Sequence, residues 1–408
     1  MRIVLVGGGV AAATTAMTLR RRGFDGEIAL VADEAEPPYQ RPPLSKDFLT
    51  AGRDLVPARD PAWYPDSGVE LRLRTRAESL DLAGRRVRLA GGDELPYDAL
   101  VLATGLRART LPGFDGNRVH HLRTAADARR LRDELAGAER LAILGAGFIG
   151  CEVAASAVAL GKQVTILEPE RTPLVRALGA RIGATLAAVH RGRGVDVRTG
   201  EYATALARTG AGLVLTTNLG DRVECDLVLV GVGAQPNVEL AQAAGIDTGD
   251  GILVDEYGRT SAPDVWALGD VAAQLHHGVR VRVEHHDNAQ RQGTTVAHNL
   301  LGDTKPHTDA HWFWSDQYEH KLQSVGRPRD PDDLVVRGDL ESGRFSAFSL
   351  TGGRIDAVIA LDRPGDVLAV RRMLHAPHEV SADELRDESV PLKELLAAAT
   401  ARPDRAAS

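Results

Sequence analysis

The sequence predicts an α/β fold in which one strand–turn–helix–strand unit occurs twice, followed by a third α/β region at the C-terminus. Three observations predict it. The chain opens on the apolar run RIVLV (2–6), the glycine turn GGGVAA and a helical pattern through Ala16 and Leu19. The same order returns at 140–168, in RLAILGAGFIGCEVAASAVALGKQVTILE. Beyond Trp314 the pattern changes to short strands, DDLVVRGDL and RFSAFSLTGGRIDAVIAL, and then to a helix-like DVLAVRRMLH. Strands alternating with helices at this spacing form parallel sheets.

Composition sets the frame for these elements. A chain of 408 residues is long enough for two or three domains. Its 43% hydrophobic and 26% charged content is that of a soluble globular protein. No apolar run approaches the roughly eighteen residues of a membrane span, and MRIVLVGGGV reads as a buried strand and turn, not a signal peptide. The two cysteines, Cys151 and Cys225, lie far apart, which argues against a disulfide scaffold and suits a reducing cytoplasm. A net charge of −7 argues against a general nucleic-acid binder.

Each glycine turn sits in a Rossmann-type βαβ context. The first reads Gly7-x-Gly9-x-x-Ala12 with Asp33-Glu34 closing the second strand. The other reads Gly145-x-Gly147-x-x-Gly150 with Glu168 closing its second strand. The first glycine permits a tight turn, and the second lets the backbone approach a pyrophosphate. The third position must be small so that helix and strand pack closely, and Ala12 serves there. The helix N-terminus offers free N–H groups to phosphate, and the acid takes a ribose diol. Two such sites imply two dinucleotides. An acid at Glu168 would repel a 2′-phosphate, which favours NADH over NADPH.

Later stretches fit a bound flavin dinucleotide. YDALVLATG ends a strand on Ala103-Thr104-Gly105, small residues able to pass close to a ligand. DLVLVGVGAQPN ends a strand on Gly231-x-Gly233. GRTSAPDVWALGDVA ends one on Gly269-Asp270, with an apolar, helix-like segment expected next, its N-terminus facing the phosphates. Asp270 is placed to accept a hydrogen bond from a sugar-alcohol hydroxyl. Ahead of all three lies PYQRPPLSK (38–46), a proline-stiffened loop presenting Arg41 and Lys46 in a chain with only five lysines among its 49 Lys and Arg residues. Such a run is either a polyproline ligand or a rigid loop holding a cation over an anion.

The ordered set GxGxxA, RPPLSK, ATG, GxGxxG, GVGAQPN, ALGD and WSDQ resembles the FAD-containing, NADH-dependent ferredoxin reductases of bacterial aromatic-ring dioxygenase and cytochrome P450 systems, of which rubredoxin and putidaredoxin reductases are relatives. The resemblance runs over essentially the whole chain. It implies a glutathione-reductase-like fold: an FAD domain in two segments (1–107 and 238–311), an NAD domain (108–237) and a C-terminal α/β domain (312–408). It also implies the cofactors FAD and NADH, and a [2Fe–2S] ferredoxin partner that feeds an oxygenase or cytochrome P450.

The same resemblance assigns residues. Gly7, Gly9, Ala12, Glu34, Arg41, Lys46, Ala103, Gly105, Arg123, Asp270 and Trp314 are expected at FAD, and Gly145, Gly147, Gly150, Glu168 and Gly233 at NADH. Lys46 is expected beside the isoalloxazine, paired with Glu152 of GCE, as the catalytic pair. Two positions depart from relatives: His286 stands where many have tryptophan, and Gln40 where an acid is common. Glu284 and Asn288-Ala289 keep the pattern, so the segment VEHHDNAQRQG (283–293) is expected to run under the flavin.

No metal site is expected. His285 and His286, read as neighbours on a strand, point to opposite faces, and nothing nearby has ligand spacing. Residues 1–150 hold no cysteine, and Cys151 reads as a small packed residue. Direct hydride transfer from NADH to FAD is therefore expected, without a redox disulfide. Two alternatives remain open: an NADH oxidase or diaphorase reducing oxygen or quinones, and a non-enzymatic role resembling apoptosis-inducing factor, which would demand a basic, DNA-binding surface. Arg327, Arg329, Arg371 and Arg372 are candidate ferredoxin contacts, and monomer and homodimer are both open.

Overall fold

The computed structural model describes residues 1–210 and 212–401. The chain forms two compact units. The first comprises Met1–Pro43, Asp54–Arg107 and Ala234–Asp309; the second comprises Leu44–Arg53, Ala108–Gly233 and the chain from Ala310 onward. Among the described residues no helix is long and apolar enough to cross a membrane.

The first unit is built on a five-stranded parallel sheet in the order Val265–Ala267, Ala99–Leu102, Arg2–Val6, Glu27–Val31, Val69–Arg72. Its central strands are apolar without alternation because both faces are covered. Ile3 and Leu5 face helices Val10–Arg21 and His286–Leu300, where they meet Ala12, Ala16, Leu19 and Val296. Val4 and Val6 face the opposite side, against Val87, Leu89 and Leu95 of an antiparallel three-stranded sheet. The two helices approach closely because residue 293 is glycine: a Cβ there would stand 2.7 Å from the Ala11 carbonyl oxygen.

Two local expectations are corrected in this unit. After Gly269-Asp270 the chain makes one 3₁₀ turn and continues as the strand Ala272–His276, not as a helix. The reason is turn chemistry downstream. His277 and Gly278 adopt positive φ (48° and 78°) and close a hairpin onto Val279–Arg282, a turn whose twist matches that of paired strands. His285 and His286 do not lie on a strand: His285 caps, and His286 begins, the helix His286–Leu300. Its buried residues Ala289, Gln292, Gly293, Val296 and Leu300 recur at helical spacing, so the 3.6-residue pattern outweighs the local pair.

The second unit repeats the parallel device in the order Asp196–Thr199, Gln163–Glu168, Arg140–Leu144, Leu227–Val230, Val119–His120. Helix Phe148–Ala159 follows the glycine turn and is buried along most of its length. The C-terminal part is a five-stranded antiparallel sheet, Trp312–Gln317, His320–Gly326, Arg354–Leu361, Arg344–Thr351, Val335–Asp339. Helices Pro364–Met373 and Leu392–Ala401 cover it through a core that includes Phe348, Val358, Val370 and Leu396. Helix Val175–Gly192 joins the two parts of this unit, packing Leu178, Ile182 and Leu186 on Leu322, Phe345 and Ile359.

Candidate active site

In the first unit the glycine turn and the ATG turn form one structure. Gly7 has φ 131°, and a Cβ on it would lie 2.0 Å from the Ala103 carbonyl oxygen. The strand Ala99–Leu102 therefore ends against the turn, and residue 7 has to be glycine. Gly9 is the N-cap of helix Val10–Arg21 and brings no side-chain cap; the first turn holds no acid, and a Cβ at Gly9 would meet nothing within 4 Å. Uncapped N–H groups facing open space are what a pyrophosphate requires. Ala12 is fully buried, as its small-residue role demands. Gly105 adopts φ 64°, and the turn is tied down by Asn237, whose backbone N–H donates to the Gly105 carbonyl (3.0 Å) while its amide donates to the Thr104 carbonyl (2.8 Å).

The acid of this unit lies among donors. Glu34 accepts from the Tyr39 hydroxyl (2.6 Å) and from the Arg41 guanidinium (2.6 Å), and Arg41 also donates to Tyr39 (2.9 Å). Burial opposes the charge on Arg41, but Tyr39, Glu34 and Asp270 outweigh it and hold its pKa above the usual value. Asp270 sits half-buried in the 3₁₀ turn Gly269–Val271. Gly269 N–H donates to Gln292 (2.7 Å), whose amide donates to Gln274 (2.6 Å), fixing that turn. Gln40 donates its backbone N–H to Val56 (2.8 Å). Burial pushes His285 down to about 4 and lowers His286 as well, so both imidazoles are neutral at pH 7. Tyr39 was not singled out from the sequence, although a hydroxyl two residues before Arg41 was a visible signal.

The second glycine turn obeys the same geometry. Gly145 has φ 98°, with the Gly231 carbonyl 2.7 Å from where its Cβ would be; a Cβ on Gly150 would meet the Gly145 carbonyl at 2.2 Å. Gly147 caps helix Phe148–Ala159 without a side-chain hydrogen bond, and a Cβ there would meet nothing nearer than 4.0 Å. Glu168 is buried and accepts from the Ala146 N–H (2.6 Å) and the Glu170 N–H (2.8 Å). It braces the turn, a task the spacing alone did not reveal. Gly233 (φ 102°) accepts from the Arg109 N–H (2.9 Å).

Lys46 and Glu152 meet in this unit, Nζ to Oε2 at 2.8 Å, although they are far apart in sequence. Glu152 is 5% exposed and also accepts from Ser45 Oγ (2.5 Å) and Ser315 Oγ (2.7 Å). Ser156 Oγ donates to the Ser45 carbonyl (2.6 Å) and anchors the loop to the helix. Sequence reasoning missed Ser45, although it stands beside Lys46 in the same loop, and Ser315, whose hydroxyl on a distant strand leaves no local mark. Trp314 stacks on Trp312 (5.0 Å, 26°), with the Arg371 guanidinium over the Trp312 ring at 4.9 Å. Arg123 lies just before helix Ala125–Gly137, its N–H donating to Asp127 (3.2 Å). Cys151 is fully buried, its thiol touching the Ala146 carbonyl at 3.6 Å; burial first, then Glu152 and Glu168, push its pKa far up. Cys225 is pushed up by burial to about 12.

Two glycine cradles, each with an uncapped helix N-terminus and an acid after the second strand, define a flavin- and pyridine-nucleotide-dependent oxidoreductase. The residues fit both cofactors, and bound FAD supplies two-electron acceptance from NADH with one-electron release. A family model described as pyridine nucleotide-disulphide oxidoreductase matches residues 1–293, and one described as reductase C-terminal matches residues 312–396. The chain belongs to the pyridine nucleotide-disulphide oxidoreductase family. It is 43% identical over 401 residues to the ferredoxin–NAD(+) reductase component of the anthranilate 1,2-dioxygenase system of Burkholderia cepacia, covering 96% of this chain and 98% of that protein. It is 38% identical over 412 residues to putidaredoxin reductase of Pseudomonas putida, covering 98% and 97%. The crystal structure of the covalent putidaredoxin reductase–putidaredoxin complex matches with a TM-score of 0.94 at 37% identity, over 98% of this chain and 99% of that one.

Proposed function

We propose that this chain is a cytoplasmic FAD-dependent ferredoxin–NAD(+) reductase that passes electrons from NADH through FAD to a [2Fe–2S] ferredoxin serving an oxygenase or cytochrome P450. The observation that carries this reading is the near full-length match, at 43% identity, to a ferredoxin–NAD(+) reductase component. The expected division is kept with it: FAD domain 1–107 and 238–311, NAD domain 108–237, C-terminal domain 312–408. Gly7, Gly9, Ala12, Glu34, Arg41, Ala103, Gly105, Arg123, Asp270 and Trp314 serve FAD; Gly145, Gly147, Gly150, Glu168 and Gly233 serve NADH; Lys46 and Glu152 form the charged pair that favours reduction of the flavin. An ammonium stabilises developing negative charge where it is fixed in a low-dielectric site.

Direct transfer without protein sulfur is supported by the buried, high-pKa thiol of Cys151. The test is steady-state NADH consumption with and without a bacterial [2Fe–2S] ferredoxin, read through cytochrome c. Ferredoxin-dependent cytochrome c reduction is the expected result. NADH consumption at one rate regardless of ferredoxin, with oxygen as the sink, would replace this reading by an NADH oxidase.

A further inference from the structure

The Glu152 carboxylate lies at the end of a chain of buried hydrogen bonds that the reaction as described does not use. Ser315 and Gln317 are two residues apart on the strand Trp312–Gln317 and so share a face. Ser315 Oγ reaches Glu152 Oε1 at 2.7 Å, and Gln317 Nε2 reaches Ser315 Oγ at 3.2 Å. Gln317 Oε1 lies 3.0 Å from His190 Nε2, and His190 Nδ1 lies 2.9 Å from the Tyr318 hydroxyl. His190, Gln317 and Ser315 are each at most 3% exposed.

The direction of every bond follows from the first. A carboxylate accepts only, so the Ser315 hydroxyl must spend its single proton on Glu152. Ser315 Oγ can then receive only from the Gln317 NH₂, which leaves Gln317 Oε1 as the acceptor facing His190. His190 therefore carries its proton on Nε2, and as a neutral ring it accepts at Nδ1 from the Tyr318 hydroxyl. Burial lowers the His190 pKa, in keeping with that neutral form. All donors run the same way, from Tyr318 toward Glu152. The Gln317 amide does not readily pass a proton along, so the chain holds a geometry and does not conduct protons.

We propose that His190 and Gln317 are positioning residues for the Lys46–Glu152 pair, acting through the Ser315 hydroxyl to fix the carboxylate that holds Lys46. The inference rests on the reading of that pair given above. Aligned hydrogen bonds in a dry interior polarise one another, and a hydrogen bond to a charged group is worth more than a neutral one. His190 comes from helix Val175–Gly192, so this network also ties the nucleotide-binding part of the second unit to its C-terminal sheet.

The chain has five lysines, so selective [¹³Cε]lysine labelling gives a spectrum in which Lys46→Arg identifies the Lys46 resonance. Gln317→Leu and His190→Phe put apolar side chains of related shape in place of the polar ones and remove the bonds. Each is expected to shift the Lys46 resonance, in the FAD-free and the FAD-loaded protein alike. Each should also slow anaerobic flavin reduction by NADH about threefold, the scale of one neutral hydrogen bond at the low end and less than the loss of Lys46 itself, with KM for NADH within about twofold. Ser315→Ala should do the same, and Ser315→Thr should restore both readouts. A Lys46 resonance that stays at its wild-type position in Gln317→Leu, while thermal stability falls, would reduce the network to a structural one and overturn the proposal. Should the buried variants fail to fold, Tyr318→Phe removes one oxygen at the half-buried end, and an unmoved Lys46 resonance there overturns it equally. If Lys46→Ala reduces its flavin as fast as wild type, the role of the pair fails, but the resonance still decides whether the network holds it.

Discussion

Gly7 and Ala103 are in such close apposition that a Cβ on residue 7 would stand 2.0 Å from the Ala103 carbonyl oxygen. The contact locks the first glycine turn to the end of a neighbouring parallel strand, and both flank the expected pyrophosphate position. Gly7→Ala combines this clash with a φ of 131° that alanine does not tolerate. It should cost about 2–4 kcal/mol of stability and leave the purified protein depleted of FAD. Urea denaturation and the flavin absorbance at a known protein concentration check this; a flavin content equal to wild type would show the turn yields without harm.

The Lys46–Glu152 contact of 2.8 Å is mostly enclosed, with the side chains 17% and 5% exposed. Glu152→Gln preserves shape and removes the Glu152 charge from beside the Lys46 ammonium. Breaking a buried pair on one side costs about 3 kcal/mol, to be read as a lowered thermal midpoint. Lys46→Ala should keep FAD but slow its anaerobic reduction by NADH about tenfold, roughly 1.4 kcal/mol of barrier. Stopped-flow traces that overlay those of wild type would rule out the ammonium as a contributor.

Burial governs the two thiols as well. Cys151 is fully buried and Cys225 is 1% exposed, and both thiols are held protonated at pH 8 by that burial. Native protein should therefore react with well under one equivalent of an aromatic disulfide reagent at pH 8, and the denatured protein with two. Cys151→Ala should keep NADH-to-ferredoxin turnover within about twofold, since a side chain that never forms a thiolate is no relay. A stoichiometric, activity-killing modification of native protein would contradict this.

Buried imidazoles make the fold acid-sensitive. His285 and His307 are pushed down to about 4, chiefly by burial. Their folded pKa values lie below the unfolded value near 6.5, so the unfolded chain binds protons that the folded chain refuses. The stability they allow is fully present above pH 6.5 and is lost as the pH falls toward 4, by about 1.4 kcal/mol per pH unit for each group. Urea midpoints measured between pH 7.5 and 5 should fall, and the slope should flatten in His307→Gln. An unchanged slope in that variant would assign the sensitivity elsewhere.

Much of the fold could be read from local sequence because its cause is local. A glycine at positive φ, an apolar run covered on both faces and an uncapped helix start leave marks within a few residues, so both βαβ units, their glycines and the strand-ending ATG were legible. The stretch after Asp270 was misread because a short segment such as VAAQL fits either state until the His277-Gly278 turn pairs it with Val279–Arg282. His285 and His286 were misread because a helix His286–Leu300 is defined by residues reaching to position 300.

The sequence by itself determined where dinucleotide phosphates can approach backbone, since only residues without a side chain leave that space. Tertiary structure decided how the charged groups are held. Glu168 braces the Ala146 amide, Glu34 receives Tyr39 and Arg41, and Glu152 collects Ser45, Lys46 and Ser315. Hydrogen bonds to a buried carboxylate depend on distance and dielectric, and neither has a period along the chain.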